Sequence, residues 1–191
     1  METGTPPYGD RTPGIVRLTR GLEDATVLDG PVRALEPWVE AGFGRGARGA
    51  ALRGEWLGHA IHPLLTDLVI GSWTSATVLD LFGGADASPS ARRLVAVGLL
   101  GAGPAAWTGW AEWSLAGKRE KRVGVVHAVT NAAVIGVYTA SWVARRRGRH
   151  GSGVRLALAG TALTSVAAYL GGHLIEVRKV ASHHPAYDEP A

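Results

Sequence analysis

No cysteine occurs in the 191 residues, which excludes disulfides, iron–sulfur clusters, covalently attached c-type haem and thiolate zinc sites together. Any metal must be held by His, Asp, Glu or Asn. The N-terminus, Met-Glu-Thr-Gly-Thr-Pro-Pro, lacks the basic and apolar stretches of a cleavable signal peptide, so the first apolar segment is expected to direct the chain to a membrane. Also missing are a Gly-rich phosphate loop and any set of nucleophile, base and orienting group, which places hydrolase chemistry last. The scarcity of charge is local. Mean hydropathy is only +0.08 and 19% of residues are charged, yet four long segments carry almost no charge. The net charge of +4 comes from Lys and Arg clustered at the ends of those segments, where anionic lipid head groups are the simplest partner; nucleic acid is not.

What is present centres on residues 58–83, a hydrophobic span that opens on His59 and His62 and carries Asp67 and Asp80. From Pro63 to Phe82, at about 1.5 Å of rise per residue, the helix is about 30 Å long, the thickness of a bilayer's hydrocarbon core. At about 100° per residue, His62, Thr66, Trp73 and Asp80 fall on one stripe. Ionisable groups inside a membrane are costly, so this stripe must face partner helices or a wet cavity rather than lipid. Asp67 lies about 140° round from His62 and is expected to face a different helix.

Three further spans follow, at about 94–113, 123–143 and 154–175, which makes an all-α, four-transmembrane-helix bundle of residues 57–176. Residues 1–20 read as a disordered arm. Residues 21–56 read as short amphipathic helices starting at Pro31 and Pro37 along the membrane surface, then a basic linker whose Arg45, Arg48 and Arg53 can reach phosphates; residues 177–191 form a polar tail. In the second span, Gly101 and Ala105 form a small-xxx-small pair that lets backbones approach, Pro104 is a kink site, and Trp107, Trp110 and Trp113 crowd the interface. Arg145, Arg146, Arg147 and Arg149 are expected to stop the third span, and Asp80 to pair with Arg92 or Arg93. Four crossings put both termini on one side of the cell (inner) membrane, and a small excess of Arg and Lys there favours the cytoplasm.

The start of the first span, the end of the second, the start of the third and the end of the fourth share one leaflet. His59, His62, Glu112, His127, Asn131 and His173 occupy those ends. Neutral imidazole is the commonest metal ligand, and b-type haem needs only one or two axial histidines between helices. Two of His62, His127 and His173 are therefore the candidate axial ligands, with His59 behind them and Asn131, Glu112 or a carbonyl near Pro63 accepting their second N–H. Alternatively Glu112 pairs with Lys118 or Arg122, and the histidines are structural. His150, His183 and His184 sit in polar stretches without a role.

Gly58-His-Ala-Ile-His-Pro-Leu-Leu-Thr-Asp67, Gly71-Ser-Trp-Thr-Ser-Ala-Thr-Val-Leu-Asp80, Gly109-Trp-Ala-Glu-Trp113, Val126-His-Ala-Val-Thr-Asn131 and Gly171-Gly-His-Leu174 together resemble the bacterial membrane family called domain of unknown function 2231. The resemblance covers residues 55–176. It departs at Glu112, where the family usually has Asp, and at Ile175-Glu176, where an aromatic is frequent. It implies a four-helix membrane domain, one that elsewhere is fused to Rieske or cytochrome modules, and hence electron transfer with a separate redox partner protein. Three functions follow: a membrane redox component holding haem b or a quinone, a divalent-metal binding or transport module using His62, His127 and His173, and a non-catalytic anchor or assembly subunit. The chain alone leaves the cofactor, and whether it is a homo-oligomer, open.

Overall fold

The computed structural model describes residues 12–181 and residue 187, and among these all regular structure is helical. Three short helices, α1 (Gly14–Asp24), α2 (Asp29–Val39) and α3 (Gly46–Arg53), precede four long ones, α4 (His62–Phe82), α5 (Ser88–Leu115), α6 (Lys118–Arg146) and α7 (His150–Gly172). Each long helix is long and apolar enough to cross a membrane. Their outer faces carry Leu64, Leu68, Val78, Leu81, Leu100, Val129 and Val166 in the open, the reverse of a water-soluble bundle. The backbone of such a segment is satisfied within its own helix, which is what hydrocarbon requires. The chain is an all-α protein built on a four-helix membrane bundle.

Several elements differ from the sequence reading. The arm expected to lack structure up to residue 20 is helical from Gly14. Helix α2 starts at Asp29, two residues before Pro31, and runs through Pro37. Pro31 falls in the first turn, where no N–H is needed, and Pro37 stands within the last turn of α2, which a wider turn at Glu40–Gly44 follows. Of the linker arginines, Arg48 donates to the Ala41 carbonyl at 2.6 Å, Arg53 to the Gly44 carbonyl at 2.9 Å, and Arg45 pairs with Glu40 at 3.1 Å. Their heads thus fold back on the linker. Trp107 is exposed as an interfacial side chain should be, but Trp113 is buried, its indole N–H donating to the Lys121 carbonyl at 3.0 Å.

Helices α4 and α5 form one antiparallel hairpin and α6 and α7 a second. Gly84 and Gly148 take positive φ, 68° and 75°, near the tips of the two, where a side chain would strain the reversal. The hairpins repeat one another. A shift of 65 positions, the separation of Asp80 and Arg145, carries His62 to His127, Val69 to Val134 and Trp73 to Tyr138. A shift of 62, the separation of Ser88 and His150, carries Ala91 to Gly153, Gly98 to Gly160, Ala105 to Ala167 and Gly109 to Gly171. Environments match as well as positions: Gly98 lies against the Trp73 ring and Gly160 against the Tyr138 ring.

Equivalent residues also meet each other. Trp73 stacks on Tyr138, centroids 3.9 Å apart and planes 11° from parallel, and Asp80 receives Arg145 Nη1 and Nη2 at 2.8 and 2.5 Å. Ser88 Oγ and His150 Nδ1 are 3.1 Å apart. Equivalent positions touch only on a two-fold axis. Because both hairpins start at the same end, that axis runs along the bundle, a parallel repeat.

Asp80 therefore pairs with Arg145, not with Arg92 or Arg93, and while α6 does end at Arg146 within the arginine run, Arg145 is buried in its last turn. Their side chains are 3% and 0% exposed, so each charge relies on the other. The Arg145 N–H at Nε goes to Ser141 Oγ at 3.2 Å, which itself donates to the Gly153 carbonyl at 2.7 Å.

Two substitutions test this packing. A Cβ at Gly98 would lie 2.2 Å from Trp73 Nε1, while one at Gly103 meets nothing within 4 Å. Gly98→Ala should therefore cost about 1–3 kcal/mol and Gly103→Ala almost nothing, read by thermal unfolding in detergent. Asp80→Asn should cost about 3–5 kcal/mol by stranding Arg145. The exchange Asp80→Arg with Arg145→Asp should recover most of that loss, since the two positions are equivalent; a swap no better than the single variant would contradict the axis.

Candidate functional site

Between the hairpins, at the end where α4 and α6 begin, the axis opens into a cavity of about 390 Å³. His62 and His127 line it, one from each hairpin, Trp73 and Ile135 line it further along α4 and α6, and Glu112 and Asn131 supply further polar groups. The rings are seated alike. A Cβ on Gly109 would meet His62 Cε1 at 2.9 Å, and one on Gly171 would meet His127 Cε1 at 3.0 Å, so each imidazole occupies the space of an absent side chain. His62 Nδ1 is 2.9 Å from the Ala105 carbonyl and 3.1 Å from Thr108 Oγ1. His127 Nδ1 is 3.0 Å from the Ala167 carbonyl.

A carbonyl can only accept, so Nδ1 carries the proton on both rings, and in the neutral imidazole Nε2 keeps its lone pair. Asn131 Nδ2 sits 3.0 Å from His127 Nε2 and from the His127 carbonyl, and donates to both. His62 Nε2 has no such partner among the described residues. The tautomers are thus set by the carbonyls of Ala105 and Ala167 on α5 and α7, rather than by Asn131, Glu112 or a carbonyl near Pro63. The Pro63 carbonyl accepts from Thr66 at 2.8 Å.

Glu112 is 7% exposed and its Oε1 is enclosed without a hydrogen-bond partner among the described residues. Neither Lys118 nor Arg122 reaches it. Both go to Asp29, at 3.2 and 2.7 Å, and Arg122 also donates to the Glu23 carbonyl at 2.7 Å.

Two expected members lie elsewhere. His59 is exposed, with Nδ1 3.0 Å from the Ala60 carbonyl. His173 Nε2 is 2.6 Å from Glu23 Oε1, and Arg178 bonds both oxygens of the same carboxylate. Among the described residues no three His, Asp or Glu side chains are placed to hold a metal ion, so His62, His127 and His173 do not form one ligand set. Asp67 is exposed on the outer face of α4. His183 and His184 lie outside the described residues.

The segment expected along the membrane surface is thereby bound to the bundle. Glu23 of α1 holds the end of α7, Asp29 and Glu36 of α2 hold Arg122 and Lys121 of α6, and Val32 and Val39 pack on Trp113 and Val125. Sequence reasoning takes Ala105 as a helix-packing residue and Gly109 and Gly171 as motif positions, and does not connect them or Ala167 with the seating of the histidines. Their signal was available as small residues recurring in both hairpins, Ala105 and Gly109 in the first and Ala167 and Gly171 in the second.

These features define an integral membrane protein: a two-fold pair of helical hairpins enclosing a histidine-lined cavity at one end of its axis. The chain belongs to the DUF2231 family of predicted membrane proteins, whose model matches residues 58–184. No curated protein and no solved structure matches it.

The hydrogen bond from Arg122, against the opposing effect of burial and with help from Lys118, holds the Asp29 carboxyl down at about 2 from an ordinary 3.8. A depressed folded pKa means that Asp29 stabilises the docked segment fully above about pH 4, and loses that contribution as pH falls towards 2. Protease cleavage between α1 and α3 should therefore accelerate over that window. Asp29→Asn should raise cleavage at neutral pH and flatten the acid response.

Proposed function

We propose that this chain is the membrane component of a redox system, and that its axial cavity takes the head group of a quinone or quinol from the bilayer. One observation carries the reading: two imidazoles with Nδ1 committed to the Ala105 and Ala167 carbonyls present their Nε2 side to a mainly apolar cavity beside the unpartnered Glu112. An aromatic head group with polar oxygens at its rim needs such a place, with Trp, Ile and Val walls and a few fixed polar groups. Electron exchange belongs to a separate redox protein; residues of this chain bind and orient.

Haem b is the second reading, favoured by the same Nε2 lone pairs, which are the ligating atoms of axial histidines. The donor set fits it less well. Asn131 already occupies His127 Nε2 at 3.0 Å and would have to turn away for iron to bind there. A divalent-metal site has weaker support still, since His173 is held by Glu23. The anchor reading needs none of these groups and leaves the enclosed Glu112 without a purpose.

Detergent-solubilised protein titrated with a short-tailed benzoquinone should show saturable quenching of tryptophan fluorescence, because Trp73, Trp110 and Trp113 line the cavity. The double variant His62→Ala, His127→Ala should bind at least about tenfold more weakly. A reduced-minus-oxidised b-type spectrum in the same preparation would favour haem instead. Neither binding nor spectrum would leave the anchor.

A further inference from the structure

The two halves of the cavity are equivalent in backbone and in their histidines, but not in what stands over each Nε2. In the second hairpin that position is Asn131, four residues after His127, and its amide fills the ring's lone pair at 3.0 Å. In the first hairpin the equivalent residue is Thr66, whose hydroxyl donates to the Pro63 carbonyl at 2.8 Å and is therefore not spent on His62. Glu112 breaks the symmetry a second time, because its equivalent, just past the end of α7, is Leu174. The cavity therefore holds one uncommitted imidazole nitrogen, that of His62, and one enclosed carboxyl oxygen without a partner, that of Glu112.

We infer that the cavity selects the reduced, hydroxyl-bearing form of its ligand, that His62 makes the selection, and that His127 is a positioning residue. The inference rests on the quinone or quinol reading above and adds to it the redox state and the point of attachment. The chemistry is that of donors and acceptors. His62 donates through Nδ1 to Ala105 and can only accept through Nε2. A hydroquinone O–H satisfies that lone pair, whereas a quinone carbonyl brings a second acceptor and leaves both unsatisfied. A carboxyl can donate or accept according to its proton, so Glu112 holds either form and does not discriminate. His127 already has both nitrogens occupied, by the Ala167 carbonyl and the Asn131 amide, and shapes the opposite wall.

The test is anaerobic calorimetric titration of the full-length, detergent-solubilised protein with one short-tailed benzoquinone in its oxidised and reduced forms. The wild type should bind the hydroquinone about tenfold or more tightly than the quinone. His62→Gln keeps a polar group of either sense, since an amide donates and accepts, and should bring the ratio to about one. His127→Ala should weaken both forms while keeping the ratio. Asn131→Thr, which copies the first hairpin, should free the second imidazole and tighten the hydroquinone alone. A wild-type ratio of about one, or a ratio lost with His127→Ala and kept with His62→Gln, overturns the inference while leaving the quinone reading intact. Failure of both forms to bind removes that reading and the inference with it. Unfolding temperatures measured on the same samples separate misfolding from lost contacts.

Discussion

The bidentate bond between Asp80 and Arg145 is the interaction on which the rest of the bundle depends. Two charges that are 3% and 0% exposed, near the far ends of α4 and α6, cannot be left unpaired in a membrane, so the hairpins must meet where these residues meet. Directionality matters as much as energy. A guanidinium fork closes on a carboxylate in one plane, which fixes the rotation of α4 and α6 about their own axes and brings Trp73 over Tyr138 further along the same stripe. Below that stack the axis is closed by aromatic surface and charge. Above it, nothing of comparable size stands between His62 and His127, and a cavity remains.

Small residues do complementary work on α5 and α7. Apolar side chains gain little from burial among lipid tails, so helices associate in membranes through close fit. Gly98, Gly101 and Gly109 on α5, and Gly153, Gly160 and Gly171 on α7, each receive a neighbour's side chain: Trp73, Val69 and His62 in the first hairpin, Arg145, Tyr138 and His127 in the second. Close fit is thus used to seat the polar residues rather than to bring backbones together for their own sake. The charged pair sets how the hairpins face, and the glycines set how deep each ring lies. Both histidines come out with Nδ1 against a carbonyl, His62 with Nε2 uncommitted and His127 with Nε2 held by Asn131. The segment before the bundle then binds across this same end through Glu23, Asp29 and Glu36, joining α6 to the close of α7.

Hydropathy and length made the four helices readable, and the spacing of His62, Thr66, Trp73 and Asp80 made the inward face of α4 readable, because a period of 3.6 needs no knowledge of partners. Partners were harder. Depth along a span can be counted from sequence, so the histidines were rightly put at one end, but direction around the bundle cannot, and His173 turns to Glu23 instead of the cavity. Arg145 looked like a solvent-facing stop because a charged run is the usual end of a span; its burial depends on Asp80, 65 residues away. The repeat itself was obscured by its own function. Positions that meet on a two-fold axis must complement each other, so Asp faces Arg and Trp faces Tyr, and those pairs do not read as a repeat. Glu23 was invisible for another reason: a lone buried carboxylate in a Pro- and Gly-rich lead-in carries no periodic signal.

Because the chain contains no native cysteine, the axis can be tested by bridging one pair of introduced thiols. Ser88 and His150 are equivalent positions at the starts of α5 and α7, and their side chains meet at 3.1 Å. In Ser88→Cys, His150→Cys protein, a short bifunctional thiol reagent applied to native membranes should join α5 to α7 within one chain, shifting the band of a product cut between the hairpins. No bridge, or one formed solely between separate chains, would mean that the hairpins do not share an axis.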